Sequence, residues 1–88
     1  MTFSTPTSIT VANANTALQD GLAAIASGMT HFDFAPLVVV DSAAVATMLA
    51  WQRAAHGKNL RLEFAHLPSN LRSLMQMYGV TELLPSAA

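Results

Sequence analysis

Serine, histidine and aspartate side chains are the groups in this sequence that could carry out chemistry. The pair Asp41-Ser42 stands between an apolar run and an amphipathic stretch, while His31, His56 and His66 are scattered along the 88-residue chain. A nucleophilic serine of the common hydrolase type lies in a G-x-S-x-G turn, and no such turn surrounds Ser42. The sequence therefore does not favour a Ser/His/Asp triad, and no catalytic residue is predicted.

Metal ions and cofactors also lack a recognisable site in the sequence. The three histidines do not show the spacing of zinc ligands, and the chain contains no cysteine. Neither the phosphate-binding pattern G-x-x-x-x-G-K-[ST] nor the dinucleotide pattern G-x-G-x-x-G occurs. We therefore expect neither a bound metal nor a cofactor.

Ser42 has two interpretations that the spacing leaves open. As a helix cap, a role that Asp41 could equally fill, its side chain would accept a hydrogen bond from a free N–H group of the first turn. As a phosphorylation site it would receive roughly −1.5 to −2 charges at the positive end of a helix, which tolerates them. In that case the fold would persist while the surface beside Asp41 changed.

The elements that must position Ser42 are a strand and a helix in direct succession. Residues 37–40 are apolar without alternation, which predicts a buried strand of a parallel sheet covered on both faces. Loops at the carboxyl ends of such strands usually form the working edge of the sheet, so we expect the Ser42 hydroxyl near the surface. The following helix is expected to end at Gly57. Its inner side is expected to carry Val45, Met48, Leu49 and Gln52.

A second face of the same helix combines one large aromatic side chain with small residues. Trp51 lies there at helical spacing from Ala44, Thr47, Ala54 and Ala55. Small side chains let another element approach closely while the indole supplies contact area, so this face is a candidate docking surface. Its predicted contact residues are Ala44, Thr47, Trp51 and Ala55. The alternative is that Trp51 folds over the sheet edge within its own domain.

The rest of the chain supplies the other elements of a small α/β domain. Further strands are predicted at residues 8–11, 31–34 and 60–64, and further helices from residue 13 or 15 to about 26 and from 68 to 79, with a last turn or short strand at 80–84. Residues 1–7 are expected to be loose, 8–84 to form one domain and 85–88 to be a tail. The alternating order predicts a mixed or mostly parallel sheet of about four strands, flanked by three to four helices.

Composition limits the partners that the chain can have. The chain is 52% hydrophobic and 10% charged, which suits a globular core, and its net charge of −1 with four Lys+Arg offers no basic stripe for nucleic acid. No apolar run approaches the length of a membrane span, and the N-terminal residues lack the features of a signal peptide. We therefore expect a soluble, intracellular protein.

The stretch VDSAAVATML at residues 40–49 resembles the signature of STAS domains, in which a hydrophobic strand ends in Asp-Ser or Asp-Thr before a helix. Residues 59–64, 68–71 and 78–80 also fit the later half of that family, so the resemblance extends over residues 9–84. The chain departs from the family in two places. The N-terminal β-hairpin is shortened, and an alanine follows the first small residue where the family commonly has glycine.

The resemblance implies a non-enzymatic interaction module whose partner carries out any catalysis. In anti-sigma factor antagonists, the serine that matches Ser42 is phosphorylated by a partner kinase, the anti-sigma factor. In the small STAS subunit of the Mla phospholipid-transport complex, the helix after the Asp-Ser/Thr pair docks on the cytoplasmic ATPase of the ABC transporter. Chain length and low charge favour the Mla-type subunit, which serves outer-membrane lipid asymmetry from the inner face of the inner membrane. An anti-sigma factor antagonist switched at Ser42 is the alternative.

Overall fold

The computed structural model describes residues 2–84, which fold into five short strands, three α-helices and one 3-10 helix. In chain order these are β1 Thr2–Ser4, β2 Ser8–Ile9, α1 Ala14–Ala26, β3 His31–Asp33, β4 Val39–Val40, α2 Ser42–Gly57, β5 Glu63–Ala65, α3 Ser69–Met77 and the 3-10 helix Thr81–Leu83. The three α-helices lie in the segments whose periodicity predicts them, and α2 ends at Gly57 as expected. The predicted tail 85–88 lies outside the described residues.

All strand pairs within residues 2–84 are parallel. β3 lies between β1 and β5, and β2 pairs with β4. The two small sheets continue one another, because the Thr5 N–H donates to the Asp33 carbonyl at 3.0 Å and the Val38 N–H donates to the Thr7 carbonyl at 2.8 Å. The predicted α/β class with a mostly parallel sheet is therefore confirmed, with five short strands in place of about four.

The expectation of a loose segment 1–7 is wrong for Thr2–Ser4, which form β1. Phe3 pairs in register with Phe32 on β3, and their ring centroids are 4.7 Å apart. Both rings also contact the indole of Trp51. This apolar contact offsets the entropy lost when the strand becomes ordered. The strand is not recognisable in the sequence because the segment is polar and contains proline. A single aromatic side chain supplies its contact with the core.

The described sheet has one buried face and one largely open face, so the predicted burial on both faces is wrong. Phe32 and Phe64 are fully buried on the face that meets the helices. Ser4 and Glu63 point to the other face and are exposed, and burial alternates along β1 and β3. When only one face of a parallel sheet meets a helix layer, hydrophobic and polar positions alternate along its strands.

The apolar run 37–40 is only partly a strand and only partly buried. Leu37 belongs to the core, but Val38 and Val39 are 66% and 55% exposed. Pro36 has no N–H to donate before the run, and only the last two residues of the run pair with β2. The two exposed valines lie where no described element covers them, and the uniform hydrophobicity of the run gave no sign of this.

Two expectations about the second half of the chain also change. The strand predicted at 60–64 is Glu63–Ala65, because pairing with β3 begins only there. Helical spacing in the sequence places Leu71, Met75 and Tyr78 together on the inner side of α3. Leu71 and Met75 are buried, but Tyr78 is 52% exposed since it follows the last helical residue.

Trp51 is the centre of the core. Its indole is fully buried inside a cage of aromatic rings. The cage consists of Phe3, Phe32 and Phe34, at centroid distances of 5.8, 5.2 and 6.2 Å from the indole. The indole Nε1 donates to the Leu18 carbonyl of α1 at 3.1 Å, which gives the buried N–H the partner it needs. Gly21 of α1 presents no side chain to the ring, so the helix backbone can lie directly against it.

Gly21→Ala tests this contact. A methyl group at residue 21 would overlap the indole of Trp51. Overpacking of this kind costs about 1–3 kcal/mol, which exceeds the gain of about 1 kcal/mol from alanine over glycine within a helix. We therefore expect a lower free energy of unfolding in urea denaturation.

The matched control is Gly57→Ala at the end of α2, where an added methyl group meets nothing within 4 Å. Its stability should be unchanged or higher by up to ~1 kcal/mol. Equal effects of the two substitutions on the free energy of unfolding would contradict the close contact between α1 and the indole.

Candidate functional site

Asp41 holds the head of α2 in place. Its Oδ1 accepts the Ala43 N–H at 2.8 Å, which is the N-cap bond of the helix. Its Oδ2 accepts the Val11 N–H at 3.1 Å. The cap is therefore Asp41 rather than Ser42. Because Val11 belongs to the loop between β2 and α1, the same carboxylate also joins that loop to the start of α2.

Ser42 is the first residue of α2, and it is exposed. The helix does not need the Ser42 hydroxyl as a cap, since Asp41 fills that role. The hydroxyl lies at the positive end of a 16-residue helix, where an added phosphate would be favoured by the helix dipole. Chemical change at this position would therefore alter the surface without removing a bond that holds the fold.

The four residues predicted to contact a partner lie inside the domain. Ala44, Trp51 and Ala55 are fully buried, and Thr47 is 5% exposed. The Thr47 hydroxyl donates to the Ala43 carbonyl of its own helix at 2.8 Å. The prediction of an exposed docking surface on this face is therefore wrong. The small residues beside the indole instead let α1 approach closely. The alternative interpretation, in which Trp51 folds within its own domain, agrees with the structure.

A groove on the outward side of α2 takes the place of that surface. We call it the α2 groove, and it runs between α2 and the segment that follows α3. Its first half is lined by Ser42, Val45, Ala46, Leu49, Tyr78 and Val80. Its second half is lined by Leu49, Gln52, Arg53, His56 and Leu83. The two halves meet at Leu49, which lines both.

The outer wall of the α2 groove is built by a helix-ending turn. The Gly79 N–H donates to the Gln76 carbonyl at 3.1 Å and the Val80 N–H donates to the Met75 carbonyl at 3.0 Å, which is the Schellman arrangement. Gly79 has a φ of 67°, which glycine adopts without strain. Past this turn the chain lies beside α2, and Leu83 is 60% exposed on it.

Sequence reasoning missed this wall because helical spacing places Tyr78 inward and predicts only a last turn or short strand at 80–84. The available signal was Gly79, which ends α3 and is followed directly by an apolar residue, as in many Schellman turns. That pattern predicts the turn but not the element against which the returning chain packs.

Comparison with known families identifies the family of the domain. The family model described as "Mlab, STAS domain" matches residues 7–85, a range that contains the Asp41 cap, α2 and both walls of the groove. The chain belongs to the STAS domain family. No curated protein and no solved structure matches it. STAS domains are generally non-enzymatic interaction modules, so the exposed groove of this STAS domain is the first place to look for a protein contact.

The histidines of the STAS domain are dispersed over the fold. His31 begins β3, His56 lies near the end of α2, and His66 follows β5. Among the described residues, no three His, Asp or Glu side chains are close enough together to hold a metal ion. Within the same part of the chain, no helix combines the length and the apolar character needed to cross a membrane.

Asp33 organises the loop after β3. Its Oδ1 accepts the Ala35 N–H at 2.9 Å and lies 2.9 Å from the His66 Nδ1. Both contacts favour the ionised carboxylate, the backbone bond most, and they lower the pKa of Asp33 from its ordinary value of 3.8. A carboxylate with a lowered pKa stabilises the fold above its unfolded pKa. That stabilisation is lost as the pH falls through the folded pKa.

Asp33→Asn should reproduce the protonated state of this carboxylate at every pH. We expect a lower free energy of unfolding than the parent at pH 7, and a difference that shrinks as the pH falls below 3.8. Urea denaturation at a series of pH values measures it. Asp20→Asn, on the exposed surface of α1, is the control and should match the parent throughout. A deficit for Asp33→Asn that does not change with pH would contradict the role of the ionised carboxylate.

Asp41→Ala should destabilise the fold by about 1–2 kcal/mol, because the α2 cap bond and the bond to the Val11 N–H are both lost. Ser42→Ala, one residue along, should change the free energy of unfolding by no more than about 0.5 kcal/mol. Urea denaturation of the two variants provides the comparison. If Ser42→Ala cost as much as Asp41→Ala, the assignment of Asp41 as the cap would be wrong.

Proposed function

We propose that this STAS domain is the small subunit that binds the ATPase of an Mla-type ABC phospholipid transporter. It would stabilise or regulate that ATPase on the cytoplasmic side of the inner membrane and so serve the lipid asymmetry of the outer membrane. The domain itself would catalyse nothing. The description of the matching family supports the Mla assignment, and the α2 groove is the observation that carries the docking role.

The groove has the properties of a protein contact. Its first half is apolar, with Ala46 exposed and Leu49 half-buried on the α2 side. On the other wall Tyr78 and Leu83 are 52% and 60% exposed. Large apolar side chains gathered along one groove, rather than scattered singly, are typical of interaction sites. A rigid helix supplies one wall, so little order would have to be gained on binding.

The mechanism of regulation would be a shift in equilibrium. A subunit that binds the assembled or active form of the ATPase better than other forms increases the population of that form. The extent of the shift equals the ratio of its affinities for the two forms, and tight binding to both would change nothing. The STAS domain therefore needs a contact surface and no catalytic group.

The second candidate function is a signalling module switched by phosphorylation of Ser42. The observation that favours it is the exposed Ser42 hydroxyl at the first residue of α2, beside the apolar half of the groove. A phosphate there would be favoured by the helix dipole and would place about two negative charges at the groove's end. A partner fitted to the neutral hydroxyl would then be released. The partner in this case would be an anti-sigma factor kinase.

Ala46→Arg tests the docking surface. Ala46 is exposed at the middle of the groove's first half, so an arginine there should block docking while the domain keeps its thermal stability. We expect the tagged parent to co-purify with an ABC ATPase encoded beside it and the variant to lose the ATPase. Ala23→Arg, an equal substitution on the exposed side of α1, is the control and should retain it.

Unchanged co-purification of the ATPase with Ala46→Arg would reject the groove as the docking surface. Mass spectrometry of Ser42 in the same preparations separates the two candidate functions. A kinase recovered in place of the ATPase, together with phosphate on Ser42, would assign the domain to the signalling class.

A further inference from the structure

We propose that the α2 groove binds one amphipathic helix of the partner protein, with apolar side chains over Ala46 and Leu49 and a carboxylate facing Arg53. This inference rests on the docking function proposed above and adds the chemistry of the segment that docks. The length of the groove, the lack of free N–H groups among the lining residues of its outer wall and the sign of its charge support it.

The groove is long and linear. It follows α2 from Ser42 to His56, and the two halves meet at Leu49. At about 1.5 Å per residue, this part of α2 is about 21 Å long, which corresponds to about four turns of a second helix. Helices that bind in grooves do so through apolar side chains at positions i, i+3 or i+4, and i+7, which follow a line of this length.

On the outer wall, the lining residues offer no free N–H group to an extended peptide. The Tyr78 N–H donates to the Leu74 carbonyl at 3.0 Å. The Val80 N–H donates to the Met75 carbonyl, and the Leu83 N–H donates to the Val80 carbonyl at 2.9 Å. The other wall is α2, whose backbone is bonded within the helix. An extended segment would find no free N–H group on this wall for its own C=O groups, which would stay unpaired against apolar side chains. A helix pairs those groups internally and therefore fits.

Charge distinguishes one end of the groove from the other. Arg53 and His56 lie at its second end, and α2 contains no acidic residue between Ser42 and Gly57. The ion pair found within residues 2–84 does not involve Arg53, and Glu82, next to Leu83 in the chain, does not reach Arg53 within 4.0 Å. A carboxylate on the docked helix would complement this end of the groove.

Two synthetic 18-residue peptides test the proposal. Both are amphipathic helices with the same Leu/Ala stripe, and they differ only in having Glu or Lys at both ends of the stripe, so that either orientation is covered. When they are titrated into ¹⁵N-labelled protein, the amide signals of Ala46, Leu49 and Leu83 should shift. The Glu peptide should bind about fivefold more tightly than the Lys peptide, as expected for an exposed charge pair.

Arg53→Glu assigns the charge preference to one side chain. With this variant the Lys peptide should become the tighter ligand. Arg72→Glu is the matched control, because Arg72 is exposed on α3 and does not line the groove, and it should keep the preference for the Glu peptide.

Equal affinities for the two peptides, or shifts confined to the open face of the sheet, would overturn the proposal. If the domain self-associates and Arg53→Glu abolishes that association, the occupant of the groove is a second copy of the domain and not a partner helix. If the ATPase co-purifies with the parent but not with Ala46→Arg, and no peptide competes with the ATPase, the helical occupant is wrong and the proposed function stands. If the peptides bind as expected and no ATPase co-purifies, the proposed partner is wrong and the helical occupant stands.

Discussion

The contact between the Trp51 indole and α1 determines which surfaces this domain can offer. The indole N–H is bonded to the Leu18 carbonyl, the ring occupies the space beside Gly21, and phenylalanine rings of the sheet close the other side. A helix held in this way on one side can present only its opposite side to a partner. The α2 groove therefore exists because the indole is buried, and weakening the core contact would also move the wall of the groove.

A second constraint acts at the end of α2. The Asp41 carboxylate bonds the first turn of the helix and the loop that precedes α1, so the two helices are joined at their N-terminal ends as well as through the indole. Ser42 thus lies on a part of the backbone that is fixed at two points. Such preorganisation lowers the entropy that a contact at this position would cost.

The sequence predicted the helices and the order of the elements well, but it could not show how much of α2 is buried. Val45 and Met48 lie on one predicted side of the helix and Ala44 and Trp51 on the other, and the structure buries all four residues. The deciding information is in α1, where a glycine inside the helix marks a close approach of another element. The open face of the sheet was hidden for a similar reason. Uniform hydrophobicity in residues 37–40 predicts burial, whereas Val38 and Val39 lie where no described element covers them.

The two candidate functions place their chemistry on the same helix but at different distances from its positive end. A neutral Ser42 hydroxyl leaves the first half of the groove apolar, and the nearest cationic groups on the groove are Arg53 and His56 at the other end. A phosphate on Ser42 would add a dianion about 16 Å along the helix from Arg53, beyond the distance at which exposed charges act on one another at physiological salt. Its effect on an acidic partner helix would therefore be local repulsion and loss of apolar contact at the first half, not neutralisation of the basic end. The same groove could in this way serve a permanent subunit contact or a switched one, and the difference would lie in whether a kinase reaches the exposed hydroxyl.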